Sequence, residues 1–153
     1  MANNMESNDP VTSRDQNYPT NKRALGENLT RLAQNKLYGR TDVIPTGPML
    51  DSYIINGSKA LVKFKYAGSG LVLRNVSALY GFEIAGADGV FHTADAVITG
   101  SDTVEVTCND VSQPIYVRFM HEAFPHPLTL YNSEGLVASP FAPDLPINFN
   151  LTR

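Results

Sequence analysis

Cysteine, tryptophan and long apolar runs are the scarce features of this 153-residue chain, which has one cysteine and no tryptophan. A single cysteine excludes an internal disulfide framework and any zinc site built from several cysteines. Cys108 follows Val104 and Val106 on one side of an alternating run, so we expect a small buried hydrophobe. No apolar stretch approaches the roughly 20 residues that cross a bilayer, so no membrane partner is expected. The first sixteen residues lack the apolar core of a signal peptide.

An excess of charge of one sign is also absent. The net charge is −3, from 12 Lys and Arg against 15 Asp and Glu. The acidic excess lies in residues 41–153, so the larger part of the chain offers no basic surface for a phosphate backbone. We therefore expect no nucleic acid partner. The hydrophobic content of 42% is ordinary for a globular protein.

The beginning of the chain divides into a polar segment and a helix. Residues 1–19 are rich in Asn, Asp and Ser, and we expect them to be disordered or loosely packed. A helix is predicted over residues 20–39, with Thr20 or Asn21 as its N-terminal cap and Gly39 in a left-handed C-terminal cap. Leucines recur along it at helical spacing: Leu25, Leu29, Leu32 and Leu37.

From residue 49 onward the apolar pattern changes to period two, which is typical of strands. Strands are predicted at 52–56, 60–66, 70–74, 80–85, 94–99, 103–108 and 115–120, with a hairpin at Asn56-Gly57. The predicted fold class is therefore mainly β, an antiparallel β-sandwich over residues 40–142. The segment after Pro125 is expected to wrap the surface irregularly, and residues 143–153 form a tail.

Two histidines near residue 120 are the first chemical candidate. His121 and His126 are five residues apart, whereas a helical zinc site needs histidines four apart. Pro125 and Pro127 also exclude a regular helix, although Glu122 lies between the histidines. No metal site is expected.

A serine nucleophile is the second candidate, and the sequence contains no Gly-x-Ser-x-Gly elbow. Gly68-Ser69-Gly70 is better explained as a turn between strands. Paired carboxylates are the third candidate, and the scattered acidic residues are expected to be solvated surface charges: Glu83, Asp88, Asp95, Asp102 and Glu105. Arg118 points away from its apolar neighbours, so we expect a solvent-facing or rim charge that can pair with one of them. The tyrosines lie mostly in strand patterns, which suggests core or cross-strand pairing rather than a sugar platform.

Several runs nevertheless resemble one family when they are taken in order. They are GFEIAGADG at residues 81–89, YVRF at 116–119, LYNSEGL at 130–136 and ASPF at 138–141. They resemble the C-terminal region of sialate O-acetylesterases, which are esterases of the SGNH hydrolase type. Val137 stands where that family usually has proline.

The resemblance extends upstream and covers about residues 15–142. Residues 19–22 and 37–39 are similar to the stretch that leaves the family's active site, and Gly47-Pro48 matches a motif before its first sandwich strand. The resemblance thus implies that the helix is left over from an α/β hydrolase-type domain.

The activity implied by the resemblance is hydrolysis of O-acetyl esters on sialic acid or related sugars, without a metal or another cofactor. The family uses a serine and an Asp-x-x-His pair. Asp15 matches the aspartate position, but Tyr18 occupies the histidine position. A tyrosine with a pKa near 10 is a poor general base at neutral pH, so we assign no catalytic residue. The resemblance also implies a secreted, lysosomal or periplasmic protein.

Three functional hypotheses remain open from the sequence. The leading one is a non-catalytic fragment or degenerate member of the esterase family, which packs against or completes an esterase. The second is an independent carbohydrate-binding or structural β-sandwich, and the third is a subunit of an esterase whose serine lies on another chain. The leucine face of the helix is expected to be partly exposed, which favours self-association.

Overall fold

The computed structural model describes residues 22–74, 76–121 and 127–143. These ranges contain one helix, α1 (Lys22–Lys36), and nine strands. The strands are β1 (Met49–Asn56), β2 (Lys59–Lys65), β3 (Leu71–Leu73), β4 (Phe82–Ala85), β5 (Phe91–Thr93), β6 (Asp95–Ile98), β7 (Thr103–Thr107), β8 (Tyr116–Phe119) and β9 (Leu130–Asn132). Within the same ranges, no helix has both the length and the apolar character needed to cross a bilayer.

Helix α1 ends as its sequence predicts. The N–H groups of Leu37 and Tyr38 both donate to the carbonyl of Ala33, and Gly39 follows with a left-handed φ of 67°. None of the helix residues is buried. Leu29 is 51% exposed and Leu37 just beyond the helix is 79% exposed, which confirms that the leucine face is partly open. The predicted N-terminal cap residues lie outside the described ranges.

The first two strands form the predicted hairpin. Asn56 pairs with Lys59, so the two turn residues are Gly57 and Ser58. Gly57 has a φ of 62°, and Ser58 has no positive φ. This is the type II′ pattern, in which glycine takes the first central position.

The strands are arranged in three antiparallel sheets. Their orders are β1-β2-β7-β6, β5-β4-β8 and β3-β9. The structure is therefore mainly β with antiparallel sheets and one helix, as the sequence predicts, and it is consistent with a β-sandwich.

The core fills the space between the four-stranded and three-stranded sheets, because alternate residues of each strand point inward. Both sheets contribute fully or almost fully buried side chains: Ala60, Val62, Phe64, Val104 and Val106 from one, and Phe82, Ile84, Val117 and Phe119 from the other. The rings of Phe82 and Phe119 pack at a centroid distance of 4.5 Å. Cys108 packs against this core but is only partly buried, so it is less enclosed than the sequence predicts.

The prediction of an irregular surface segment after Pro125 is wrong at its centre. Leu130, Tyr131 and Asn132 form β9, and all three are buried. Strands β5 and β9, of three residues each, were not predicted, whereas β3 of the same length was predicted within the run 70–74. β9 is buried because it pairs with β3, which lies far from it in the sequence.

Candidate functional site

The residues expected at the family's catalytic positions lie outside the described ranges. This applies to Asp15 and Tyr18, and also to Glu122 and His126 of the histidine candidate. His121 is exposed and lies two residues after the end of β8. Within the described part of the chain, no three His, Cys, Asp or Glu side chains are grouped to hold a metal ion.

Ser69 lies in the predicted turn between β2 and β3. Its backbone N–H and its hydroxyl both donate to Oγ of Ser133, at 3.0 and 2.9 Å. Ser133 in turn donates to a carboxylate oxygen of Glu134 at 3.0 Å. The hydroxyl of Ser69 thus donates to Ser133, and the hydroxyl of Ser133 donates to Glu134. This arrangement does not supply the imidazole base that activates a serine nucleophile.

The run at residues 130–136 forms a buried strand and a surface turn that are organised by Asn132. This side chain is 0% exposed, and its amide nitrogen donates to the carbonyl oxygens of Tyr66 at 3.0 Å and Thr46 at 3.5 Å. Its amide oxygen accepts the N–H of Leu136 at 2.8 Å. Gly135 turns the chain with a φ of 80°. One side chain thus connects three separate segments by satisfying backbone groups that are buried with it.

The Gly47-Pro48 motif meets this turn directly. A Cβ atom at Gly47 would collide with the backbone carbonyl of Val137, so only glycine permits the approach. The N–H of Ser139 donates to the carbonyl of Pro48 at 2.7 Å. We call residues 46–48 and 132–139 together the loop junction.

A small cavity lies where α1 meets the loop junction. Its volume is about 10 Å³, and it is lined by Asn28 together with residues of the junction: Thr46, Gly47, Leu136 and Val137. A space of this size is at the lower limit for one water molecule. It cannot accommodate a sugar or an acetyl ester.

Arg118 forms the most enclosed ion pair among the described residues. Its Nε and Nη2 atoms donate to the two carboxylate oxygens of Glu83 at 2.7 and 2.9 Å. Its guanidinium also stacks over the ring of Phe91, with 4.0 Å between Cζ and the ring centroid. The prediction that Arg118 pairs with a carboxylate is confirmed, but the side chain is only 23% exposed and is thus largely covered rather than free in solvent.

Other acidic residues are distributed over the surface, as expected. Glu105 pairs with Lys59 at 2.7 Å, and Asp102 lies 3.7 Å from Lys63. Asp88 accepts the N–H of Val90 within a turn. Such exposed pairs contribute little to stability and do not form a paired-carboxylate site.

The sequence patterns did not indicate a structural or functional role for Asn132, Ala85 or Phe91. Asn132 belongs to a run that resembles a family motif, but its role depends on backbone groups 66 and 86 residues away in sequence. Phe91 was missed because its strand was not predicted. Only the three-dimensional arrangement brings these residues to their partners.

These features define a β-rich domain of antiparallel sheets with an exposed helix before it, and a domain of this class occurs within a carbohydrate esterase. The crystal structure of a carbohydrate acetylesterase from Xanthomonas citri is similar to this chain, with 38% sequence identity and a TM-score of 0.77. The similarity covers 83% of this chain and 29% of the acetylesterase. The chain therefore spans less than a third of that enzyme.

No protein-family model matches the chain, and no curated protein sequence matches it significantly. The sequence identity of this structural match supports a relation between the chain and carbohydrate esterases as a class.

Proposed function

We propose that this chain is a non-catalytic part of a carbohydrate esterase, in which its β-sandwich packs against or completes an esterase domain. The observation that carries the proposal is the identity of 38% to a carbohydrate acetylesterase of which the chain covers 29%. The serine environment at Ser69, which leads to a carboxylate and not to an imidazole, is in keeping with a non-catalytic role.

The proposed substrate class of the complete enzyme is O-acetyl esters on sialic acid or related sugars, hydrolysed by a serine of the SGNH type. This finer proposal depends on the resemblance of the runs at residues 81–89, 116–119 and 130–141. The structure gives the last run a packing role, because Asn132 and Val137 contact residues 46 and 47. That run therefore supports the resemblance of this domain to the esterase family more strongly than it supports a particular sugar as the substrate.

The proposed contact surface for the esterase domain is the leucine face of α1. Leu29 is more than half exposed, and no helix residue is buried by the sandwich. Lys22 lies two helical turns before Leu29 and therefore on the same side of the helix. An exposed leucine with a lysine beside it suits a partner surface that is apolar with an acidic rim.

Complementation of acetyl ester hydrolysis tests this proposal. The Xanthomonas citri acetylesterase would be shortened by the region that matches this chain, and hydrolysis of nitrophenyl acetate would be measured with and without this chain added. We expect the buffer rate from this chain alone and a gain in rate when both are mixed. A Leu29→Asp variant should reduce that gain, whereas the exposed-loop variant Asp110→Asn should not.

Two results would contradict parts of the proposal. Hydrolysis by the purified chain alone that disappears in a Ser69→Ala or Tyr18→Phe variant would overturn the non-catalytic role. An absence of any gain on mixing, with both partners folded, would overturn the role in completing an esterase domain.

A further inference from the structure

The outer face of the three-stranded sheet carries a mixed polar and aromatic surface. In the register of this sheet, Glu83 lies between Thr93 and Arg118, and Ala85 lies between Phe91 and Tyr116. The alternate residues of β4 and β8 fill the core. These six side chains therefore point away from the core, because successive residues of a strand face opposite sides.

The polar row retains hydrogen-bonding capacity. Arg118 uses Nε and Nη2 on Glu83, and each oxygen of Glu83 accepts one of these bonds. The Nη1 donors and the remaining lone pairs of the carboxylate stay available, because a guanidinium has five N–H donors and a carboxylate about four acceptor sites. Both side chains are about one quarter exposed, so a ligand can reach them.

The aromatic row lies beside this pair. Ala85 is 0% exposed although it points outward, which is consistent with cover from its cross-strand neighbours Phe91 and Tyr116. These two residues are separated by two strand spacings, or roughly 10 Å. Both are partly exposed. Phe91 also lies against the guanidinium of Arg118, which fixes the orientation of this planar group.

We propose that the exposed part of this face, residues 83, 93, 116 and 118, binds a neutral sugar ring of a carbohydrate. A sugar ring presents C–H groups on its faces and hydroxyls at its edge. The C–H groups suit the ring of Tyr116, and a pair of adjacent hydroxyls suits the donors and acceptors of Arg118 and Glu83, which Phe91 supports.

The charge of the site selects the class of sugar. Glu83 neutralises Arg118, so the pair has no net charge with which to attract a phosphate or a carboxylate. A ligand that both donates and accepts hydrogen bonds can use the pair, whereas an anion would be repelled by the carboxylate. We therefore assign the face to uncharged sugar units of a glycan and not to the carboxylate of sialic acid. The assignment deepens the proposed function, because it depends on a carbohydrate partner for the chain.

Titration of the full chain with neutral tetrasaccharides of glucose, xylose and galactose, and with sialic acid, tests the assignment by calorimetry. We expect saturable binding of at least one neutral tetrasaccharide and weaker binding of sialic acid. Tyr116→Ala and Arg118→Leu should each weaken binding by about tenfold, the effect of losing one stacking or charge-assisted contact. Lys59→Ala serves as the control on the other sheet and should leave binding unchanged.

The folded state of each variant would be checked by cooperative thermal unfolding. If Arg118→Leu unfolds, binding would be measured with Thr93→Ala and Tyr116→Phe instead. Thr93→Ala removes an exposed hydroxyl, and Tyr116→Phe keeps the aromatic ring. Failure of all three neutral sugars to bind, equal binding by Tyr116→Ala, or a preference for sialic acid would overturn the assignment. These failures remain distinguishable from failure of the proposed function, which complementation of ester hydrolysis measures independently.

Discussion

Asn132 shows how one buried side chain determines the path of several segments. Its amide donates to the carbonyls of residues 66 and 46 and accepts the N–H of Leu136. An apolar side chain of similar volume would leave these backbone groups buried without partners. Each such group costs about 1–3 kcal/mol.

For this reason, Asn132→Leu should lower the free energy of unfolding by about 2–4 kcal/mol. Urea unfolding followed by circular dichroism measures the change. Asn109→Leu is the matched control, because Asn109 is exposed in a turn and should change the value by less than about 0.5 kcal/mol. Equal unfolding midpoints for the two variants would contradict the role given to Asn132.

Gly47 tests the close approach of two backbones in the loop junction. Gly47→Ala should destabilise the fold by about 1–3 kcal/mol or more, because its Cβ would collide with the carbonyl of Val137. Gly100→Ala is the control, since a Cβ there meets Thr103 only at an ordinary 3.6 Å. Thermal unfolding of both variants measures the difference, and a similar melting temperature for the two would contradict this packing.

Tyr53 gives the fold a dependence on alkaline pH. Burial, and secondarily the nearby Tyr116, raise the pKa of its phenol above the ordinary value. The folded state thus prefers the neutral phenol, and this contribution is fully present below the pKa of the unfolded state, about 10. It is lost as the pH rises through the higher pKa of the folded state.

Tyr53→Phe should therefore make stability less sensitive to pH above about 10, where the unfolded wild-type chain ionises first. Chemical unfolding at a series of pH values from about 8 to about 11 would show wild-type stability falling more steeply than that of the variant. Parallel curves would contradict the raised pKa of Tyr53.

At the scale of elements, predictability followed the clarity of the alternating pattern. Strands β2 and β7 alternate over seven and five residues, and both were predicted within one residue of their observed bounds. Three residues are too few to show a period by themselves: β5 and β9 were missed, and β3 was predicted only as part of a longer run. The turn at Gly57 was predictable because glycine at a positive φ is a local requirement, whereas the pairing of β3 with β9 has no local cause.

Helix α1 contains an internal glycine that local chemistry does not require. A Cβ atom added at Gly26 would meet no other atom within 4 Å, and the φ of this residue is not positive. Gly26→Ala should therefore stabilise the helix by about 0.5–1 kcal/mol. Helical ellipticity and the unfolding midpoint measure the effect. Gly39→Ala should act in the opposite direction, because Gly39 has a left-handed φ of 67°.

At the scale of the whole molecule, the sequence predicted the class of fold and the exposure of the helix, but not the loop junction. Arg118 was expected to pair with a carboxylate, and Glu83 became its partner because β4 and β8 are neighbours in one sheet. The Gly47 and Asn132 contacts depend on residues brought together from distant parts of the chain. Such contacts leave no periodic pattern in the sequence from which they could be predicted.

Exposure of the leucine face leads to a prediction about association. We expect the chain to self-associate as its concentration rises, because Leu29 is 51% exposed and no residue of α1 is fully buried. Sedimentation velocity over a range of concentrations measures this, and Leu29→Asp should shift the protein towards monomer. Thr30→Asp, at an exposed position on another side of the helix, is the control for charge alone. A wild-type chain that stays monomeric throughout would contradict the prediction.

The pairing of β3 with β9 has a consequence for how the protein is made. Leu71 of β3 pairs with Asn132 of β9 far along the chain, so these native contacts wait until β9 has been synthesised. Until then a nascent polypeptide on the ribosome exposes unpaired strand edges. Closing such long loops is slow, and chains in this state are prone to aggregate. We therefore expect production of this domain to depend more on chaperones than production of a helical protein of the same length.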